Sequence, residues 1–376
     1  MKLRQAIFPF LLILLAGCSS SPVSPAAKPA KLVKFRQSAA FTVRWSRDLD
    51  DMGNSTLQPA LTQDAVYAAD AAGDLLRLKR DSGKTVWQIN TNFTITGGLG
   101  AGDGLILAGG EKGEVAAYGE DGKLRWQTTV SSEVLGAPQV ADGIVVVRSG
   151  DGRIAGLSEK DGKRIWLYER IMPALVVRSD ASVVIHNGTI YAGYAGGKLV
   201  AISLATGNLL WEATLSVPSG NTELERISDI TSQPQVDDER VCAVSFQGRV
   251  GCFDAVQGNL LWSHELSSEM GLTMKDSTLY VSDAQGDVLA IDKSSGSSLW
   301  KNDQLFMRQT SAPCVIGDYL VVGDKEGFLH ALKRDDGSLA ARIGTDDSAI
   351  LSAPIEMDNG LLVQTYDGGL YSIALH

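Results

Sequence analysis

The chain has 376 residues, a formal net charge of −10, 44% hydrophobic residues and 40 glycines. An acidic balance of this size speaks against a nucleic-acid partner, because phosphate binding relies on clustered Lys and Arg. Length alone would suggest two or three domains, and the apolar content suffices for a large buried core.

The first segment reads Lys2 and Arg4, an apolar run from Ala6 to Ala16, then Gly17 and Cys18. Basic, apolar, small is the order of a secretory signal peptide, residues 1–17. The run is too short to persist as a spanning helix, which needs roughly 20 residues. Leu15-Ala16-Gly17-Cys18 resembles the bacterial lipobox, in which the thiol is acylated and becomes the first mature residue. The resemblance implies a lipid anchor at Cys18. It also implies the periplasmic face of the outer membrane, since Ser19 stands where an aspartate would retain the protein at the inner membrane. Removing residues 1–17 leaves 32 basic against 44 acidic side chains, a formal charge of −12. Residues 18–40 are assigned to a flexible tether whose first part, Ser, Pro, Ala and Lys, has too few apolar side chains to fold.

From residue 41 to 376 the sequence repeats, and a repeat overrides the domain count that length suggests. Trp45, Trp87, Trp126, Trp166, Trp211, Trp262 and Trp300 each end a copy of one pattern: apolar alternation, a turn glycine, more alternation and a second turn glycine, with tryptophan four residues later. The second glycines run Gly83, Gly122, Gly162, Gly207, Gly258, Gly296 and Gly337, and eight first-turn glycines run from Gly73 to Gly368. One unit serves for all. Ala137 to Val140 is a short first strand with proline near its start, Ile144 to Arg148 a β-branched second, Arg153 to Ser158 a third, and Arg164-Ile165-Trp166 opens a fourth. Four antiparallel strands at a period near 40 residues describe a propeller blade. The predicted fold is all-β, an eight-bladed propeller of four-stranded antiparallel blades. A stack of β-sandwiches would need about 100 residues per core. The eighth unit, Ala353 to Leu375, stops after three strands, and Phe41 to Trp45 is a lone fourth, so the N-terminal strand closes the ring. The seventh unit carries Ala341 in the tryptophan column, which predicts one poorly packed blade interface.

Ala201-Ile202-Ser203-Leu204-Ala205-Thr206-Gly207 with Trp211 is similar to the AxDxxTGxxxW docking motif of pyrroloquinoline quinone enzyme-type propellers, and Ala290, Asp292, Ser295, Gly296 and Trp300 repeat it. The resemblance implies that each indole stacks on a glycine peptide of the next blade. It specifies architecture, not chemistry. A lipobox followed by eight such units, with almost nothing else, resembles the propeller lipoproteins of the outer-membrane β-barrel assembly machine. That family is non-catalytic. It implies a scaffold that binds the periplasmic domains of BamA, the barrel-inserting subunit, and assists insertion of barrel proteins, with direct contact to nascent outer-membrane proteins left open.

Spacing places the partner surface. From tryptophan column to the next first-turn glycine the chain runs 24 to 28 residues in six copies, but 31 from Trp166 to Gly197 and 37 from Trp211 to Gly248. The surplus lies in two consecutive blade-to-blade connectors, which emerge on one face, and long loops on a rigid scaffold are where binding usually resides. The first carries Leu175, Val176, Val177 and Arg178, the second Glu223, Glu225, Arg226 and Asp229. Apolar anchors beside arginine with a charged rim are hot-spot composition. By resemblance, Leu175, Val177, Arg178 and Asp229 match the family's contact positions, while Thr231 departs from it where a second carboxylate often follows.

Other chemistry finds no support. His186, His264, His330 and His376 have no metal-ligand spacing. Ser82-Gly83-Lys84-Thr85 has Leu78 where a phosphate-binding loop requires its first glycine. No cofactor is expected. A quinone-dependent oxidoreductase is the principal rival, with a small-ligand propeller using the central channel the other. Quinone enzymes of the family carry adjacent bridged cysteines, and Cys242, Cys252 and Cys314 include no adjacent pair. Cys242 and Cys252 flank the turn at Gln247-Gly248 as cross-strand neighbours, and are either a disulfide in an oxidising compartment or two small buried thiols.

Overall fold

The computed structural model describes residues 28–49, 52–53 and 57–376. The signal peptide and the Cys18 anchor expected from sequence lie outside the described residues. Those described form eight four-stranded antiparallel sheets and no helix. Blades one to seven are consecutive: 60–90, 100–129, 139–168, 184–214, 235–265, 271–302 and 314–344. Blade eight joins Ile355–Met357, Gly360–Gln364 and Gly369–Leu375 to Phe41–Asp48, which pairs with the last of these from Phe41 opposite Leu375 to Asp48 opposite Gly369. This is the eight-bladed propeller expected, closed by its N-terminal strand.

Middle strands are almost wholly buried because both of their faces meet a neighbouring blade. Leu105–Gly109 and Gly360–Gln364 are buried at every position, which explains why these runs read as continuous apolar stretches. Each fourth strand pairs with the third through a bulge just before the tryptophan column. In blade four Ala201 faces Trp211 but Ile202 faces Leu209, leaving Leu210 extra. The bulge adds local twist. Leu210 is thereby exposed, as are Val86, Ile165, Leu261 and Leu299 at the matching positions.

The indoles tie blade to blade. Every Nε1–H donates to a carbonyl in the third-to-fourth turn of the next blade: Trp45 to Arg80, Trp87 to Glu120, Trp126 to Glu159, Trp166 to Leu204, Trp211 to Ala255, Trp262 to Lys293 and Trp300 to Arg334, at 2.6 to 3.0 Å. Each ring lies against that turn's glycine. At Gly207, whose φ is +70°, a Cβ would sit 2.6 Å from the Trp166 ring, so glycine is required for conformation and for clearance alike.

Ala341 breaks the series for a structural reason. The third and fourth strands of blade eight, Gly369–Leu375 and Phe41–Asp48, are not joined by a turn as in the other blades, so no turn glycine faces the seventh tryptophan position. The poorly packed interface expected there is not found. Ala39 occupies the seat, Ser38 and Ala39 donate backbone N–H groups to the Ala340 carbonyl at 2.9 and 3.2 Å, and Ala39, Ala340 and Ala341 are buried in one cluster with Ile350 and Ile373.

Residues 30–40, grouped with the tether by composition, run extended along the fourth strand of blade seven as a strap. Ala30 donates to the Phe306 carbonyl at 2.9 Å and accepts from Arg308 Nη1 at 3.1 Å. The Val33 carbonyl accepts from Arg342 Nη1 at 3.0 Å, and the Arg342 guanidinium covers the Phe35 ring. Phe306 and Arg308 belong to the connector between blades six and seven, so the strap enters from the face where the blade-to-blade connectors lie.

A buried relay holds these arginines. Arg308 Nε donates to Asp324 Oδ2 at 2.6 Å, His330 Nε2 lies 2.8 Å from the same oxygen, and Arg342 Nε donates to His330 Nδ1 at 3.1 Å. A guanidinium facing Nδ1 makes that nitrogen an acceptor, so the proton sits on Nε2 and the imidazole is neutral. Burial holds the His330 pKa below its ordinary 6.5, reinforced by the Arg342 and Arg308 charges against the pull of Asp324. Burial raises the Asp324 pKa, but hydrogen bonds from His330, Arg308 and the Phe328 N–H outweigh it and leave it below 3.8.

Cys242 and Cys252 are directly paired on adjacent strands of blade five with sulfurs 1.99 Å apart, and Cys314 is a buried free thiol whose pKa burial pushes up to about 12.

Two measurements follow from these groups. A histidine with a depressed pKa contributes stability above its unfolded value and loses it as pH falls. Thermal stability should therefore decline below about pH 6.5, and His330→Gln should flatten that part of the profile; an unchanged slope in the variant removes His330 as its source. Alkylation without reductant should spare Cys242 and Cys252, and should reach Cys314 only after unfolding. Replacing both bridged cysteines by serine should cost about 3 kcal/mol for a closed loop this short, checked by denaturant titration.

Candidate functional site

The two long connectors, 169–183 between blades three and four and 215–234 between blades four and five, stand side by side and are bonded to each other. Asp229 is the joint. Its Oδ2 accepts the Val177 N–H at 2.8 Å, and its Oδ1 accepts the Gly196 N–H, in the turn of blade four, at 3.0 Å. Its own carbonyl accepts the Phe246 N–H from blade five at 2.8 Å. Ser179 Oγ adds a bond to the Thr231 carbonyl at 2.7 Å. The carboxylate thus ties its own connector to the first connector and to blade four, the backbone carbonyl adds blade five, and the carboxylate satisfies loop N–H groups that would otherwise be buried without partners.

The residues expected to touch a partner therefore divide. Leu175 and Arg178 are exposed, and Val177 is half-buried beneath them. Arg226 is exposed, with Nε donating to the Gly220 carbonyl at 3.1 Å and Nη1 3.5 Å from Glu223. Asp229 is only 5% exposed. It shapes the face from beneath, as does the buried Thr231.

The second connector contains a local device visible in its sequence. Thr222-Glu223-Leu224-Glu225 folds as a reciprocal cap: Thr222 Oγ1 accepts the Glu225 N–H at 3.2 Å, while Glu225 Oε2 accepts the Asn221 and Thr222 N–H groups at 2.7 and 3.2 Å. Those two backbone donors hold the Glu225 carboxyl below its ordinary value of 4.5. The single turn thrusts Leu224 outward at 66% exposure, and Ile171 in the first connector reaches 96%. Ile171, Leu224 and Val217 were not among the residues expected at the site. A T-x-x-E cap ahead of an apolar residue was the available signal for Leu224; Ile171 and Val217 had none, because exposure of a lone loop residue depends on what packs around it.

Three hollows flank this ridge. Val177 and Arg178 line two of them, of about 300 Å³ toward blade three and about 320 Å³ toward blade six. The third, about 360 Å³, is the central funnel, lined by first strands of the blades and the connectors that lead into them, including Gln58, Gln139, Gln235 and Thr273. Among the described residues no group of three or more His, Cys, Asp or Glu could hold a metal ion, and no helix is long and apolar enough to cross a membrane. The ridge presents apolar tips over a hydrogen-bonded base, with Arg178, Arg226, Glu223 and Glu225 around them. That arrangement suits another protein surface.

Comparison with known proteins bears on which. Residues 71–302 match the family model described as outer membrane protein assembly factor BamB. The chain is similar to the outer membrane protein assembly factor BamB of Nitrosomonas eutropha, 42% identical over 97% of this chain and 93% of that one. It is similar in structure to the crystal structure of BamB from Moraxella catarrhalis, with 29% identity, a TM-score of 0.82, and coverage of 89% of this chain and 99% of that one. The quinohemoprotein alcohol dehydrogenase of Comamonas testosteroni shares the fold, with a TM-score of 0.73 over 89% of this chain and 76% of that one, at 12% identity.

If Asp229 is the joint, Asp229→Ala should orphan two loop N–H groups at about 1–3 kcal/mol each. Hydrogen exchange at Val177 and Gly196 should accelerate, whereas Arg178→Ala should leave both amides as they are. Unchanged protection in Asp229→Ala would remove that role.

Proposed function

The chain belongs to the family of the outer membrane protein assembly factor BamB, and from that premise we propose that it is a lipid-anchored scaffold which holds the periplasmic domains of BamA on its two long connectors. It is an outer-membrane protein assembly factor and not an enzyme. The observation that carries the docking assignment is the ridge: surplus chain confined to adjacent connectors, cross-braced by Asp229, with Leu175, Leu224, Ile171 and Arg178 standing clear of the rigid ring.

The anchor reading rests on the lipobox at Cys18 and on the strap. With residues 30–40 held against blade seven, the tether is the stretch 18–29, and it leaves the ring on the connector face. The eleven residue steps from Cys18 to Pro29, at most about 3.3–3.6 Å each, keep that face within roughly 40 Å of the membrane. The ridge shares this face, so the docked domains lie between the ring and the membrane region where barrels are inserted. Val177 and Arg226 contribute within this ridge, the first as its base and the second at its rim.

Site-specific photocrosslinking in cells should yield BamA adducts from positions 175 and 178, and none from position 335 in a third-to-fourth turn on the opposite face. No BamA adduct from either 175 or 178 overturns the docking face.

A further inference from the structure

Tyr194 in blade four carries two guanidinium groups over its ring, Arg148 at 5.0 Å and Arg170 at 5.5 Å from the centroid. The two are not equivalent. Arg170 is neutralised by Glu212, which Lys198 also approaches at 3.5 Å. Among the described residues Arg148 makes one long hydrogen bond, Nη1 to the Ala181 carbonyl at 3.4 Å, and no ion pair. The carboxylates nearby are engaged elsewhere: Asp151 by Arg153 and the Ser149 hydroxyl, Glu133 by the Ser132 hydroxyl. Burial alone sets the direction of the Arg148 pKa, downward, against the Tyr194 interaction.

Arg148 is half-buried, and a guanidinium partly withdrawn from water without a counter-ion carries a cost that an apolar side chain of similar length would not. Cation–π contact with Tyr194 offsets only part of that cost. Arg148 faces the hollow of about 300 Å³ between blade three and the first connector, and Arg178 lines the same hollow from the connector side without an ion pair among the described residues. Leu135, Met172 and Val176 form its apolar wall.

We propose that Arg148 and Arg178 form a two-guanidinium pocket for one Asp or Glu side chain of the docked partner, with the neighbouring apolar residue of that partner seated on Met172 and Val176. The proposal rests on the connector face being the docking face and adds what that face selects. The chain is acidic overall, and Glu133 lines the same hollow. An acidic tract would be repelled, whereas a single carboxylate is accepted. The pocket therefore sets register and specificity.

The test is equilibrium binding of the mature chain to the cognate BamA periplasmic domains, with thermal unfolding measured on the same samples. Arg148→Met should weaken binding by about tenfold or more while unfolding occurs at or above the wild-type temperature, since the substitution removes a half-buried guanidinium that has no ion pair among the described residues. Arg148→Lys should be intermediate, because it keeps charge without the fork. One neutralising Asp→Asn or Glu→Gln substitution on the partner should reproduce the loss, and combining it with Arg148→Met should add nothing. Affinity of Arg148→Met within about twofold of wild type, or a loss of affinity that follows a fall in unfolding temperature, overturns the pocket and leaves the docking face standing. No binding by the wild-type chain overturns both.

Discussion

The contact on which the rest depends is the indole of one blade lying on the turn glycine of the next. It recurs around the ring with the same hydrogen bond from Nε1 to a turn carbonyl, and each copy buries a large aromatic surface while satisfying its single polar atom. No blade can bury both of its faces alone, so this contact converts eight marginal sheets into one rigid body. The one position without a tryptophan has no turn to receive it, and the chain fills that seat with its own strap through Ala39.

Rigidity of the ring is what gives the two long connectors meaning. A loop alone would sample many conformations and lose binding energy in being ordered. Here the ordering is done in advance by Asp229, whose carboxylate collects N–H groups from the first connector and from blade four. The apolar tips above it are thereby presented at fixed positions. Beside them the exposed Arg178 and the half-buried Arg148 have no ion pair among the described residues, and the well-packed ring tolerates the cost of the half-buried one.

The strap links the ring to whatever precedes it. Arg308 and Arg342 hold backbone carbonyls of Ala30 and Val33, and are themselves positioned by Asp324 and a neutral His330. An arginine that donates to a main-chain carbonyl tolerates any side chain at that point, so the strap can be held firmly while its sequence remains Lys, Ala and Val in character. Composition read these residues as part of a tether for that reason: the partners that order them lie more than 270 residues away.

What the sequence by itself determined is the architecture. Period, turn glycines and tryptophan spacing are local signals, and a propeller repeats one local solution, so eight blades, closure by Phe41–Asp48 and the two overlong connectors were all legible in it. What only the tertiary structure decided depends on contacts between segments distant in the chain. Asp229 reads as a surface carboxylate by its neighbours in sequence and is buried because Val177 and Gly196 converge on it. Arg148 reads as the end of a strand, and that it has no counter-ion among the described residues emerges only when blade four and the first connector close around it. Ala341 reads as a defect, and becomes a fitted seat once Ala39 arrives from the other end of the chain. In each case the deciding quantity is desolvation by a distant segment, which no window of sequence contains.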